Sequence, residues 1–98
     1  METLSKLQKW YASQCNDDWE HSYGIIIETL DNPGWKIDID LEETNLKDRA
    51  FKKIESKNFL HNNDDWLSCH VENNKFLGCG DPSKLEKIIS IFLEWAEN

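Results

Sequence analysis

Residues Asp17 to Leu41 read DDWEHSYGIIIETLDNPGWKIDIDL, and this stretch decides the fold. Tyr23, Ile25, Ile27 and Thr29 alternate with Gly24, Ile26, Glu28 and Leu30. Beyond Asp31-Asn32-Pro33-Gly34 the alternation resumes, with Trp35, Ile37, Ile39 and Leu41 set against Lys36, Asp38, Asp40 and Glu42. Residues two apart on a strand share a face, so the second run buries an apolar row and turns a row of mostly carboxylates to water. A period of two is the mark of a strand and not of a helix. Pro33 presets its own φ and Gly34 tolerates positive φ, so Pro-Gly suits the centre of a type II turn and the two runs form an antiparallel hairpin.

Toward the N-terminus, Leu4, Leu7 and Tyr11, with Trp10 beside them, make a helical stripe from Thr3 to Cys15. Asn16-Asp17-Asp18 breaks that pattern and turns the chain toward Trp19 and the first strand. Toward the C-terminus, Glu42 to Asn45 reads as a turn. Leu46 to Asn58 supports two readings: Leu46, Ala50 and Ile54 have helical spacing, whereas Phe51 to Ser56 suits a charged edge strand, and the strand is favoured. Asn62 to Asp65 is a loop. Trp66 to Glu72 is a strand with Leu67, Cys69 and Val71 on one face, and Asn73-Asn74 turns it into a returning strand, Lys75 to Cys79. Asp81 as N-cap and Pro82 at the first helical position open a last helix with Leu85, Ile88, Ile89, Phe92, Trp95 and Ala96 on its apolar face. The expected fold is α+β: an antiparallel sheet of about five strands with N- and C-terminal helices packed on one face, in the order α-β-β-β-β-β-α. A chain of 98 residues fits one domain, taken as 1–98, with one core.

Nineteen Asp and Glu against eleven Lys and Arg leave a formal charge of -8, which disfavours nucleic acid and anionic membranes as partners and suits a basic protein. No apolar run approaches the roughly 20 residues of a membrane helix. The first residues lack the apolar core of a secretion signal, and Cys15, Cys69 and Cys79 are odd in number and widely spaced. Reduced thiols and a cytoplasmic location follow as expectations.

Three groups of residues are candidates for chemistry. Cys79, in Gly78-Cys79-Gly80-Asp81-Pro82, precedes a helix, as the thiol of a sulfurtransferase-like loop would. Pro82 removes an amide from that cradle, however, and the chain's one arginine is Arg49. A structural thiol is the favoured reading, with a small Cys-dependent enzyme as the alternative. His21, His70, Cys69 and Cys79 lack the short spacings that set metal ligands on one element, so no metal or other cofactor is expected. Glu20 and His21, as strand neighbours, would point to opposite faces and so would not act as an acid-base pair. What remains is a binding surface. Trp19, between Asp17-Asp18 and Glu20-His21, is the expected exposed anchor. Asp38, Asp40 and Glu42, extended by Glu28 on the paired strand, form the expected acidic row. Trp35 and Trp95 are expected to be buried in one core between the sheet and the last helix.

Four segments carry a resemblance to a known family: Leu7-x-x-Trp10-Tyr11-x-x-x-Cys15, Asp18-Trp19-Glu20-His21-x-Tyr23-Gly24-Ile25, Thr29-Leu30-Asp31-Asn32-Pro33-Gly34-Trp35, and Asp65-Trp66 through Gly78 to Phe92-x-x-Trp95. Together they resemble the immunity protein 53 family of bacterial polymorphic toxin systems, over nearly the whole chain. Members of that family often have Gly before the position of Asp18, where this chain has Asp17. The resemblance implies a small cytosolic bacterial protein, not an enzyme, that binds and neutralises a cognate toxin. An acidic surface suits a toxin with a basic cleft, such as a nuclease.

Overall fold

The alternating runs pair into one antiparallel sheet. The computed structural model describes residues 2–58 and 65–97. In chain order these form α1 (Glu2–Gln14), α2 (Trp19–Ser22), β1 (Ile25–Leu30), β2 (Gly34–Asp40), β3 (Ile54–Asn58), β4 (Asp65–Glu72), β5 (Lys75–Gly80) and α3 (Leu85–Glu97). The strand order is β1-β2-β5-β4-β3. The hairpin decided by the opening stretch therefore sits at one side, β5 returns beside β2, and β4 and β3 complete the sheet.

Side chains on one face of the sheet build the core. Ile37, Ile39 and Leu41 from β2 and its end, Phe76 from β5, and Leu67 and Cys69 from β4 are buried there with Ile88, Ile89 and Phe92 of α3 and Leu7 of α1. Burying each large apolar side chain contributes about 1.5–3 kcal/mol, so this face alone explains why the register holds. Helix α3 lies on β5 and β2, and α1 lies along α3. Close approach of α3 requires Gly78, where a Cβ would run into Ile88 Cγ2. Phe92 stands at the middle of the aromatic contacts, 4.9 Å from Trp10, 5.2 Å from Phe76 and 6.2 Å from Trp95 between ring centroids. The expected architecture and element order are those observed, and Asn73 and Asn74 take positive φ in the β4–β5 turn as expected.

Local details depart from expectation for identifiable reasons. Instead of a type II turn centred on Pro33-Gly34, the hairpin loop is Asp31-Asn32-Pro33 with a cis Asn32–Pro33 bond, and Gly34 already pairs with Leu30. Gly34 is required by proximity, because a Cβ there would meet the Gly80 carbonyl oxygen. Trp19 to Ser22 forms a turn of helix before the first strand, with Asn16 Oδ1 accepting from the amides of Asp18 and Trp19 at 3.1 and 2.9 Å. Asp17 has φ 71°, a conformation in which Gly would carry no penalty. Of Leu46 to Asn58, only Ile54–Asn58 is strand. Its first half is held as turns because its polar groups serve other partners: Thr44 Oγ1 accepts from the Leu46 amide, the Ala50 carbonyl accepts from Trp95 Nε1 at 2.9 Å, and Arg49 Nη1 donates to the Trp95 carbonyl at 3.0 Å. The loop expected at 62–64 lies outside the described residues, and Asp65 already belongs to β4.

Helix α3 begins at Leu85, later than an Asp81 N-cap implies. Asp81 is instead 2 % exposed and closes a turn: its carboxylate accepts from the Trp66 amide (2.9 Å), the Ser83 amide (2.8 Å), Ser83 Oγ (2.6 Å) and Lys84 Nζ (2.8 Å). Burial alone would raise this carboxyl, but the donors from Lys84, Ser83 and Trp66 outweigh it and hold it far below the usual carboxylate range. Trp35 and Trp95 are half-buried at the rim of the core and not within it, since each indole N–H reaches a loop carbonyl, Trp35 that of Pro82 and Trp95 that of Ala50.

Candidate functional site

Helices α1 and α3 cover the same face of the sheet, and neither lies on the opposite face. The pairing registers place Ile26 and Glu28 of β1, Lys36, Asp38 and Asp40 of β2, Lys75, Leu77 and Cys79 of β5, and Ser68, His70 and Glu72 of β4 on that open face. Asp38, Leu77 and His70 occupy one row across three strands, with Lys36, Cys79 and Ser68 in the next. Sequence alternation thus becomes a mixed surface of carboxylates, lysines and half-buried apolar groups.

The acidic row is threaded with cations. Lys36 Nζ stands 4.0 Å from Glu28 Oε2 and 3.9 Å from Asp38 Oδ2, and Lys75 Nζ is 3.1 Å from Asp40 Oδ1. Asp40 Oδ2 also accepts from the Gly24 amide at 2.9 Å. Glu42 pairs with Lys47 at 2.7 Å and accepts from Asn74 Nδ2, and the Lys47 hydrogen bond lowers its carboxyl below the ordinary range. Two polar atoms on the face are shielded without a hydrogen bond among the described residues: Asp38 Oδ1 and His70 Nδ1. His70 Nε2 lies 3.2 Å from Glu72 Oε1, and with its proton on Nε2 the free Nδ1 is an acceptor. Both atoms are then acceptors without a donor among the described residues, and both lie beneath the surface.

The second candidate group, Asp17 to His21, meets the row at Glu42, whose backbone carbonyl accepts from Trp19 Nε1 at 2.9 Å. Trp19 itself is 1 % exposed and packs against Trp10, Tyr11 and Tyr23, so it is a core residue and not the exposed anchor expected of it. Flanking charges misled the expectation, because the Asn16 cap turns the indole inward while Asp17, Asp18 and His21 remain exposed. Glu20 turns back to accept from the amides of Asn16 and Asp17, each at 3.0 Å, and amide hydrogen bonds lower its carboxyl. Its role is to fasten the loop, with His21 beside it free of any pairing with it in the hydrogen bonds described.

Cys79 lies within β5, on the open face and well before the start of α3. Burial raises its thiol, against the smaller opposite effect of Lys36 across the strand pair. Cys69, on the core face, is pushed up to about 12 by burial and by the neighbouring Cys79. Neither has the lowered pKa of a nucleophilic thiol. No group of three or more His, Cys, Asp or Glu suited to a metal ion occurs among the described residues. No helix there is long and apolar enough to cross a membrane. Sequence reasoning set His70 on the face opposite Cys69 but counted neither His70 nor Leu77 among the site residues. Their alternation with Cys69 and Phe76 marks their face, but only the β2–β5–β4 order sets them beside Asp38.

No curated protein and no solved structure is similar to the chain. A family model described as Immunity protein 53 matches residues 4–97, which is nearly all of it. The match takes in α2, α3, every strand described and all but the first two residues of α1, and the chain therefore belongs to the immunity protein 53 family.

Proposed function

We propose that this chain is the immunity partner of a bacterial polymorphic toxin, binding the toxin in the cytoplasm and blocking it as a single 1–98 unit rather than acting as an enzyme. The family match over residues 4–97 carries the proposal. The surface supports it: an open sheet face bearing Glu28, Asp38 and Asp40, continued through Glu42 to Asp17, Asp18, Glu20 and His21, on a chain of net charge -8. Such a surface steers a basic toxin cleft, as in a nuclease, toward docking, and it needs neither cofactor nor membrane nor nucleic acid. The raised Cys79 thiol argues against the Cys-dependent alternative.

The test is protection. Cells producing the toxin encoded in the neighbouring reading frame should grow when this chain is co-produced and stop growing without it. Equal arrest in both cultures, with the chain present in soluble form, would refute the proposal.

A further inference from the structure

Strand β1 lies at the end of the sheet order, so one of its sides faces no other strand among the described residues. Exposed edges are ordinarily blunted with charge, proline or a bulge, because their unpaired N–H and C=O groups template further strands. The opposite edge follows that practice: β3 carries Glu55 and Lys57 in its sequence and follows Lys52 and Lys53. Strand β1 reads IIIETL, with neither lysine nor proline. Ile26 is 57 % exposed on the open face and Ile27 is 39 % exposed on the helix side, so this edge is apolar on both faces.

The ladder fixes which groups are free. The Asp40 amide donates to the Gly24 carbonyl at 3.1 Å, making Gly24 and Asp40 an inward-bonding pair. In an antiparallel ladder such pairs alternate. Ile26, Glu28 and Leu30 therefore bond β2, and Ile25, Ile27 and Thr29 direct their N–H and C=O groups outward. On the helix side of the same edge, Leu7, Gln8, Tyr11, Gly24 and Ile25 line a groove of about 330 Å³, positioned to take side chains of an added strand.

Resting on the reading that the chain binds a toxin, we infer that the outer edge of β1 is the docking site and that a basic, extended segment of the toxin adds there as a further strand. Charge selects this occupant. Glu28 is the one charged residue of β1, exposed, and 4.0 Å from its nearest cation. Two copies of the chain, each at -8, repel, and antiparallel self-pairing about Ile27 would set both Glu28 side chains on one face about 7–8 Å apart. A lysine or arginine on a toxin strand next to Glu28 turns that repulsion into attraction. Main-chain hydrogen bonds then provide affinity, and the groove and Glu28 provide selection.

The experiment is residue-resolved amide exchange on the wild-type chain, free and mixed with the catalytically inactivated C-terminal domain of the neighbouring toxin. In the free chain, Ile26, Glu28 and Leu30 should already exchange slowly; in the complex, Ile25, Ile27 and Thr29 should slow by roughly tenfold or more. A complex with those amides unchanged and protection elsewhere overturns the edge docking but leaves toxin binding standing. Failure to form any complex overturns both. Slowing of the same amides in the free chain as its concentration rises, with dimers by light scattering, assigns the edge to a second copy and also overturns the inference. Ile27→Pro removes an outward N–H without touching the β1–β2 ladder, so the free chain should keep its circular dichroism while toxin affinity falls roughly tenfold or more. Unchanged affinity of that folded variant contradicts the docking. Should the variant not fold, Glu28→Lys tests the same edge through charge, with slower toxin association expected and an unchanged rate counting against it.

Discussion

Replacing Asp81 by alanine should destabilise this fold. The carboxylate is buried and receives four donors, from the Trp66 amide, the Ser83 amide, Ser83 Oγ and Lys84 Nζ. Ser83 Oγ and Lys84 Nζ can turn to water, and Lys84 retains Asp65 at 2.6 Å. The two amides cannot turn away. Ser83 is exposed, so water can meet its amide, and at about 1–3 kcal/mol for the Trp66 amide left unmet Asp81→Ala should cost about 1–3 kcal/mol at neutral pH. Asp81→Asn preserves one acceptor oxygen and should cost less. Urea unfolding followed by tryptophan fluorescence reads the difference as a lower midpoint at unchanged m-value. Its pH dependence has a fixed sign. Because the folded carboxyl sits well below its unfolded value of about 3.9, its contribution is complete above about pH 5 and fades as the pH falls below about 4. In the alanine variant that acid-side loss should be smaller. A cost under about 1 kcal/mol, or an acid limb identical to wild type, would refute the assignment of Asp81 as the tie between β4 and the turn before α3.

Trp95→Ala should cost about 3 kcal/mol by the same unfolding assay, since it removes ring contacts with Phe51 and Phe92 and the bond to Ala50; a loss below about 1 kcal/mol would detach that end of α3 from the core. Cys79→Ser should leave protection against the toxin intact, and in the folded wild-type chain a thiol reagent at pH 8 should modify Cys69 far more slowly than in urea, because its thiol is pushed up to about 12 and buried. Changing Asp38 and Asp40 together to Asn should slow toxin association roughly tenfold at low salt with little change in dissociation, as stopped-flow mixing would show, and equal rates at every salt concentration would make the row a solvated face.

The fold was legible where the sequence has a strict period. Alternation in Trp35 to Leu41 and in Leu67 to Val71 gave the strands and their buried faces, and the Asn73-Asn74 dipeptide gave their turn. Legibility failed where side chains bond to distant backbone. Asp81 looks like a helix cap in sequence because its use by the Trp66 amide, fifteen positions away, has no local signature. Trp19 looks exposed among acids because the carbonyl that takes its indole N–H belongs to Glu42. At the candidate site, charge on β2 was readable, but its neutralisation was not: Lys75 reaches Asp40 only through the β2–β5 register. The exposure of β1 likewise follows from strand order, which alternation along a single strand does not encode.

The central claim, that this immunity protein 53 family member works by holding its toxin, is tested most directly by titration calorimetry with the purified C-terminal domain of the neighbouring toxin. A saturable equimolar complex is predicted, with Kd on the order of 1 μM or tighter at low salt and weaker as salt rises. A flat titration with both proteins folded would contradict it.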